Sequence, residues 1–78
     1  MHIRLEKIDP TKRQRRFYEM RVARTLFGDW CLMRDWGRIG AAGGQGRVDY
    51  TSDAPEAERA LQQLMHQKMR RGYVVKAG

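Results

Sequence analysis

The chain has little metal-binding or redox chemistry. It contains one cysteine, Cys31, and two histidines, His2 and His66. A single thiol cannot form an intrachain disulfide, and these three side chains are too few for a tetrahedral zinc site. The composition therefore predicts a reduced, cytoplasmic protein without a bound metal.

Long hydrophobic runs are also missing. Nowhere do about 18 apolar residues follow one another, the length expected of a transmembrane helix. The first residues alternate charged and apolar side chains, unlike the basic start and apolar stretch of a signal peptide. A chain of 78 residues has room for one compact domain. We therefore predict a single domain over residues 1–78 with no membrane partner.

Acidic residues are scarce relative to basic ones. Nine Asp and Glu stand against sixteen Lys and Arg, which gives a net charge of +7. Twelve of the sixteen cations are Arg, whose guanidinium binds phosphate through two hydrogen bonds and stacks on bases. This excess favours a polyanionic partner, with nucleic acid as the first candidate. The alternative is a basic surface that only keeps a small protein soluble.

Alternating apolar and polar residues in the first two-thirds of the chain predict antiparallel strands with one buried face. The first strand ends near Ile8, before the turn signal at residues 9–11. A second strand over 17–23 and a fourth over 47–51 follow the same alternation, which turns Val48 and Tyr50 inward. The third strand, residues 30–36, is apolar on both faces and is predicted to be the central one.

Glycine and helix signals complete the fold prediction. Five glycines between residues 37 and 46 predict a long hairpin with positive φ angles, and Gly37 is interpreted as the residue where the chain turns out of the third strand. Apolar residues at helical spacing from Ala57 to Met69 predict one amphipathic helix, capped by Ser52 or Asp53. Residues 73–75 either return as an edge strand or cover the helix end.

The sequence therefore predicts an α+β fold, a twisted antiparallel sheet of four to five strands with one amphipathic helix packed on one face. Because one helix covers only one face, apolar residues of the other face need cover from loops, termini or a partner. These residues are Phe17, Cys31 and Met33.

The segment Trp36-Gly37-Arg38-Ile39-Gly40 is the most specific part of the sequence. It follows an aromatic-rich strand and precedes the glycine-rich hairpin, a basic strand and the helix, and in this context it resembles the WGR domain, named for residues 36–38. The resemblance covers about residues 16–75, including Phe17-Tyr18, the third strand and the helix. The family occurs in DNA-break-activated poly(ADP-ribose) polymerases and in bacterial proteins related to the molybdate metabolism regulator.

The resemblance implies roles for individual residues. In the family the motif tryptophan stacks on the sugar of a nucleotide at a DNA end, which assigns this role to Trp36, and nearby cations hold the backbone. Arg38 matches the motif arginine, and the resemblance implies that it contacts a phosphate or a partner. Lys68 corresponds to a lysine near the helix end, although the adjacent Arg70 and Arg71 serve equally well. The alternative for Trp36 is a core position, since large aromatic residues are mostly buried.

Further cations surround this segment. Arg34 and Arg47 flank the hairpin, within reach of a backbone that passes Trp36, or form a solvated strand face. Arg13 and Arg16 belong to the basic run 12–16, either a general polyanion patch or a solubilising loop. Gly37 and Gly40 are assigned structural roles.

No catalytic constellation is evident. The glycine cluster lacks the spacing of a nucleotide-binding loop, Cys31 has no histidine near it in sequence, and His66 lies on the polar helix face. We therefore predict a protein that is not an enzyme, with no cofactor and no small-molecule substrate. The predicted function is sequence-independent binding of nucleic acid at DNA ends or nicks, with DNA favoured over RNA by the resemblance. The alternative is a protein–protein interaction or adaptor module that does not bind nucleic acid.

Overall fold

A computed structural model describes residues 1–77. Within this range the chain forms five strands, one α-helix and a short 3-10 helix at Pro10–Lys12. The strands and the α-helix are β1 (His2–Asp9), β2 (Gln14–Arg24), β3 (Trp30–Arg38), β4 (Gln45–Thr51), α1 (Ala54–Arg70) and β5 (Val74–Ala77). All strand pairs are antiparallel, and the sheet order is β4-β3-β2-β1-β5. This confirms the predicted α+β fold. Across residues 1–77, the structure contains no helix that is long and apolar enough to cross a membrane.

The middle strand of the sheet is β2, so the prediction that β3 is central was wrong. The edge strand β5 pairs with the outer side of β1 and moves the centre one strand over. β3 still has a neighbour on each side, β2 and β4, and this explains why its sequence is apolar on both faces.

The core lies between α1 and one face of the sheet. Its buried side chains come from β1, β2, β3 and the helix: Leu5, Tyr18, Met20, Leu32 and Leu61. Asp53 caps the start of the helix, where its side chain accepts the Glu56 N–H at 2.8 Å, and the Glu56 side chain in turn accepts the Ser52 N–H at 2.8 Å. This reciprocal capping satisfies backbone donors that would otherwise lack partners. The amphipathic stripe is confirmed except at its end, where Met69 is exposed.

The inward prediction for Val48 and Tyr50 was wrong. Both are exposed, because they pair with Met33 and Cys31 on the face away from the helix. Asp49 instead pairs with Leu32 on the helix face. Alternation gives the period of a strand, but shifting the face by one residue exchanges every inward side chain for an outward one.

The face away from α1 is partly covered by arginine side chains of the sheet itself. The Arg4 guanidinium carbon lies 4.7 Å from the centre of the Phe17 ring, and Arg21 Nη2 lies 3.3 Å from Met33 Sδ. Cys31 is buried, with its thiol 3.5 Å from the Ala23 carbonyl oxygen. In both arginine contacts the guanidinium group itself lies against the apolar side chain, as a cation–π contact in the case of Phe17.

The glycine-rich hairpin turns later than predicted. β3 continues through Gly37 to Arg38, and the positive φ angles fall at Gly40 and Gly43, both +81°. Gly37 is needed for space, because a Cβ there would lie 3.3 Å from Phe17 Cε1 and 3.4 Å from Gly44 Cα. The prediction that Gly37 starts the turn was therefore wrong, and Gly40 takes that role.

Candidate nucleic-acid interface

The motif strand β3 presents three functional candidates on the helix side of the sheet. Because side chains alternate along a strand, Arg34, Trp36 and Arg38 share that side. The register then places two residues of β2 and two of β4 beside them: Arg16 opposite Arg38, Tyr18 and Gln45 on either side of Trp36, and Arg47 opposite Arg34.

Trp36 is half-buried and held from two sides. Its ring lies nearly parallel to the Tyr18 ring, with centroids 5.5 Å apart and planes inclined by 10°. The indole Nε1–H donates to Gln45 Oε1 at 3.1 Å. The ring also borders an open cleft of about 330 Å³, here called the Trp36 cleft, which is further lined by Arg16, Phe17, Gly37, Gly44, Gln45 and Tyr73. Trp36 therefore packs against the core and contributes to a surface cleft at once.

Arg34 supports the aromatic pair from below the surface. Its side chain is 15% exposed, and Nη1 donates to the Tyr18 hydroxyl at 3.2 Å. Its Nε lies 2.9 Å from Asp49 Oδ2 but is not aligned for a hydrogen bond, so this contact is an ion pair only. Arg47, 65% exposed, donates to the other oxygen of the same carboxylate at 2.7 Å. Asp49 thus offsets part of the positive charge on this side of the sheet.

Lys68 joins the same cluster from the last turn of α1. Its ammonium lies 4.5 Å from the centre of the Tyr18 ring and 5.8 Å from that of Tyr73. Burial lowers the pKa of Lys68, and the nearby charges of Arg71 and Arg34 lower it further. Lys68 therefore stabilises the aromatic rings through cation–π contacts rather than standing free in solvent.

Cations collect at one end of the sheet, where β1 and β3 end, β2 and β4 begin and α1 terminates. This basic end consists of Lys7, Lys12, Arg13, Arg15, Arg16, Arg38, Lys68, Arg70 and Arg71. Asp9 lies among them, and its carboxylate accepts the Thr11 and Lys12 N–H groups at 3.1 and 3.4 Å. A further hydrogen bond from the Thr11 hydroxyl holds the pKa of Asp9 below its usual range. The exposed cations at this end create a field that attracts polyanions.

The predicted site residues are brought together to different degrees. Arg16 and Arg38 are exposed beside Trp36, whereas Arg34 and Lys68 lie beneath it. Arg13 is in the β1–β2 turn with φ +52°, at the basic end but outside the Trp36 cleft. Sequence reasoning missed the contacts that Tyr18, Gln45, Asp49 and Tyr73 make here. Each depends on cross-strand register or on the chain reversal after α1, and no local signal in the sequence specifies either.

The opposite end of the sheet carries the other sign of charge. This acidic end, formed by the β2–β3 turn and the first turns of α1, holds Asp29, Asp53, Glu56 and Glu58 with Arg24 and Arg59. Hydrogen bonds from the Ser52 side chain and backbone hold the pKa of Glu56 below its usual range. Charge is thus polarised along the strands, and only the basic end suits a polyanion. Within residues 1–77, His, Cys, Asp and Glu side chains form no group of three or more that could hold a metal ion.

Comparison with known proteins agrees with this architecture. The family model for the WGR domain matches residues 1–78. The chain is also 42% identical over 69 residues to y4dW, an uncharacterized protein of Sinorhizobium fredii (strain NBRC 101917 / NGR234), in a match that covers 88% of this chain and 33% of that protein. The chain thus spans about a third of the length of the curated relative it matches. No solved structure matches it. With the Trp36-Gly37-Arg38 motif on an inner strand and the family model matched from end to end, the chain belongs to the WGR domain family.

Proposed function

We propose that this domain binds DNA at ends or nicks without reading base sequence. The observation that carries the proposal is the Trp36 cleft, where a half-buried indole lies beside the exposed Arg16 and Arg38 at the basic end of the sheet. Membership of the WGR family supports it, because WGR domains are known in nucleic-acid-binding contexts. A WGR domain is a non-catalytic module, and in this proposal the chain likewise acts by binding alone.

Stacking on Trp36 explains the preference for ends. Within a continuous duplex each base is covered by its neighbours, whereas a terminal nucleotide offers an uncovered face. An aromatic platform contributes about 1–3 kcal/mol per stacked base in single-strand binders. Tyr18 and Gln45 already fix the indole ring, so little side-chain freedom is lost when a nucleotide stacks on it.

The arginines supply the backbone contacts. Arg16 and Arg38 are direct cross-strand neighbours, which suits two contacts to adjacent phosphates, and Arg47 adds a third cation that it shares with Asp49. Arg13 contributes to the general attraction, while Arg34 and Lys68 act by holding Tyr18 and Trp36 in place. Phosphate contacts carry no base information, so binding is independent of sequence.

Nuclear magnetic resonance tests the proposal. A ¹⁵N-labelled sample is titrated with a 5′-phosphorylated blunt duplex, and in parallel with the same duplex closed by hairpins at both ends. We expect the Trp36 indole and the Arg38 and Gly44 amides to shift with the open duplex only. The Trp30 indole, at the far end of β3, is the internal control.

Two results would count against the proposal. Equal shifts with both duplexes would leave a general electrostatic binder and reject end recognition. No shifts at low salt would reject nucleic acid as the ligand altogether, because electrostatic binding is strongest there.

A further inference from the structure

The β2–β3 turn presents two large apolar side chains to solvent at the acidic end. Leu26 is 102% exposed and Phe27 is 93% exposed. They occupy the centre of a turn in which the Gly28 N–H donates to the Thr25 carbonyl at 3.0 Å. Turn centres favour Gly, Asn, Asp, Pro and Ser, so a Leu-Phe pair is not explained by the turn itself.

The turn beneath these side chains is well supported by hydrogen bonds. The Thr25 N–H donates to the Asp29 carbonyl at 2.8 Å, and the Asp29 N–H donates to Thr25 Oγ1 at 3.1 Å. Arg24 Nε donates to the Gly28 carbonyl at 3.0 Å, and Gly28 has φ +87°. The Leu26–Phe27 tip is therefore held out on a preformed support, which lowers the entropic cost of docking it into a partner.

We propose that the Leu26–Phe27 tip docks into the Trp36 cleft of a second copy of this chain, in a weak head-to-tail contact. The cleft has a volume of about 330 Å³, and the aromatic residues Trp36 and Tyr73 are part of its lining. An apolar cavity of about 150 Å³ is enough for benzene, so the cleft has room for the Phe27 ring. The size of the cleft and its aromatic residues thus match the tip.

Charge selects the same pairing. The tip lies between Arg24 and Asp29 at the acidic end, where four carboxylates outnumber two arginines, and the cleft is on the basic end, with Arg16 on its rim. Opposite charges therefore meet in a head-to-tail contact, whereas two tips or two clefts would bring like charges together. The contact involves few residues and the two copies each carry +7, so the association is weak and transient.

The two surfaces are different, so the contact does not close on itself. Each added copy leaves one free tip and one free cleft, and the assembly grows with concentration. If the cleft also takes a terminal nucleotide, DNA ends and the tip compete for it. That competition rests on the proposed function, but the self-association does not.

Complementing variants test the contact by NMR at millimolar protein concentration. L26S/F27S removes the tip and keeps the cleft, while R16E keeps the tip and reverses the charge on the cleft rim. The changed residues are all exposed, so the fold is retained. R21E, with the same charge reversal on an exposed residue of the other sheet face, is the matched control.

In the wild type and in R21E, we expect the chemical shifts of residues 25–29 and around Trp36 to change with protein concentration. In each test variant alone, we expect these concentration-dependent changes to be at least tenfold smaller. When ¹⁵N-labelled R16E is mixed with unlabelled L26S/F27S, residues 25–29 shift. With the labels exchanged, the Trp36 indole shifts instead.

Spectra of the wild type that are independent of concentration would overturn the proposal. So would a mixture in which residues 25–29 of labelled R16E, or the Trp36 indole of labelled L26S/F27S, do not shift. L26S/F27S is expected to bind a blunt duplex as the wild type does. Failure of self-association and failure of DNA binding are therefore distinguishable.

Discussion

Replacing Arg38 by alanine tests whether DNA is held by particular cations or by overall charge. Arg38 is exposed, lies opposite Arg16 and has no carboxylate partner within residues 1–77. Its guanidinium is therefore available to a phosphate in the free protein. Arg59 gives a matched control, because R59A removes the same charge from an exposed site at the acidic end.

The expected magnitude follows from counterion release. Each neutralised phosphate contributes a slope of about −0.9 in log K against log salt, so contacts from Arg16, Arg38 and Arg47 give roughly −2.7 and R38A gives roughly −1.8. The same factor predicts that R38A weakens binding about 15-fold at about 50 mM salt and about 3-fold at about 0.3 M. R59A is expected to leave the slope unchanged.

Fluorescence anisotropy of a labelled blunt duplex across a salt series measures both quantities. The reasoning is refuted if R38A and R59A lose the same affinity, or if R38A weakens binding by a constant factor at every salt concentration. A wild-type slope near zero would remove the electrostatic component altogether.

Three further predictions concern the support beneath the cleft. D49A leaves Arg34 without its carboxylate partner, so the free energy of unfolding measured in urea should fall by about 1–3 kcal/mol. Anisotropy should show that D49A binds DNA more tightly, because the substitution removes a negative charge. The pKa of Lys68 is lowered in the folded state, so the unfolded state binds more protons as the pH increases through that lowered pKa. The unfolding free energy of the wild type relative to that of K68M should therefore rise over this pH range. A difference between the two unfolding free energies that does not change with pH would contradict this. L61A should cost about 2–5 kcal/mol in urea unfolding, because Leu61 is fully buried; a loss below 1 kcal/mol would contradict its place in the core.

Much of the fold could be predicted from the sequence because it depends on local patterns. Period-two alternation located the first four strands, and the spacing from Ala57 onward located the helix. Gly72, with φ +97°, follows the end of the helix, a position that favours glycine. The errors at Val48, Tyr50 and Gly37 share one cause, because each depends on which neighbour a strand residue faces rather than on its own segment.

The candidate site divides in the same way. The motif identified Trp36 and Arg38, and composition identified a basic protein. Strand pairing places Arg16 opposite Arg38 and brings Asp49 to both Arg34 and Arg47, whose charge it partly offsets. It also separates the charges along the sheet, with a basic end and an acidic end. Composition gives total charge but carries no information on its direction.

By itself, the sequence determined the strands, the helix, the family motif and the sign of the charge, because these are set by residues close together along the chain. Only the tertiary structure decided which side chains support Trp36, which arginines remain available and where Leu26 and Phe27 point. Those properties arise where strands meet in register and a helix covers one face, bringing together residues that are far apart in sequence.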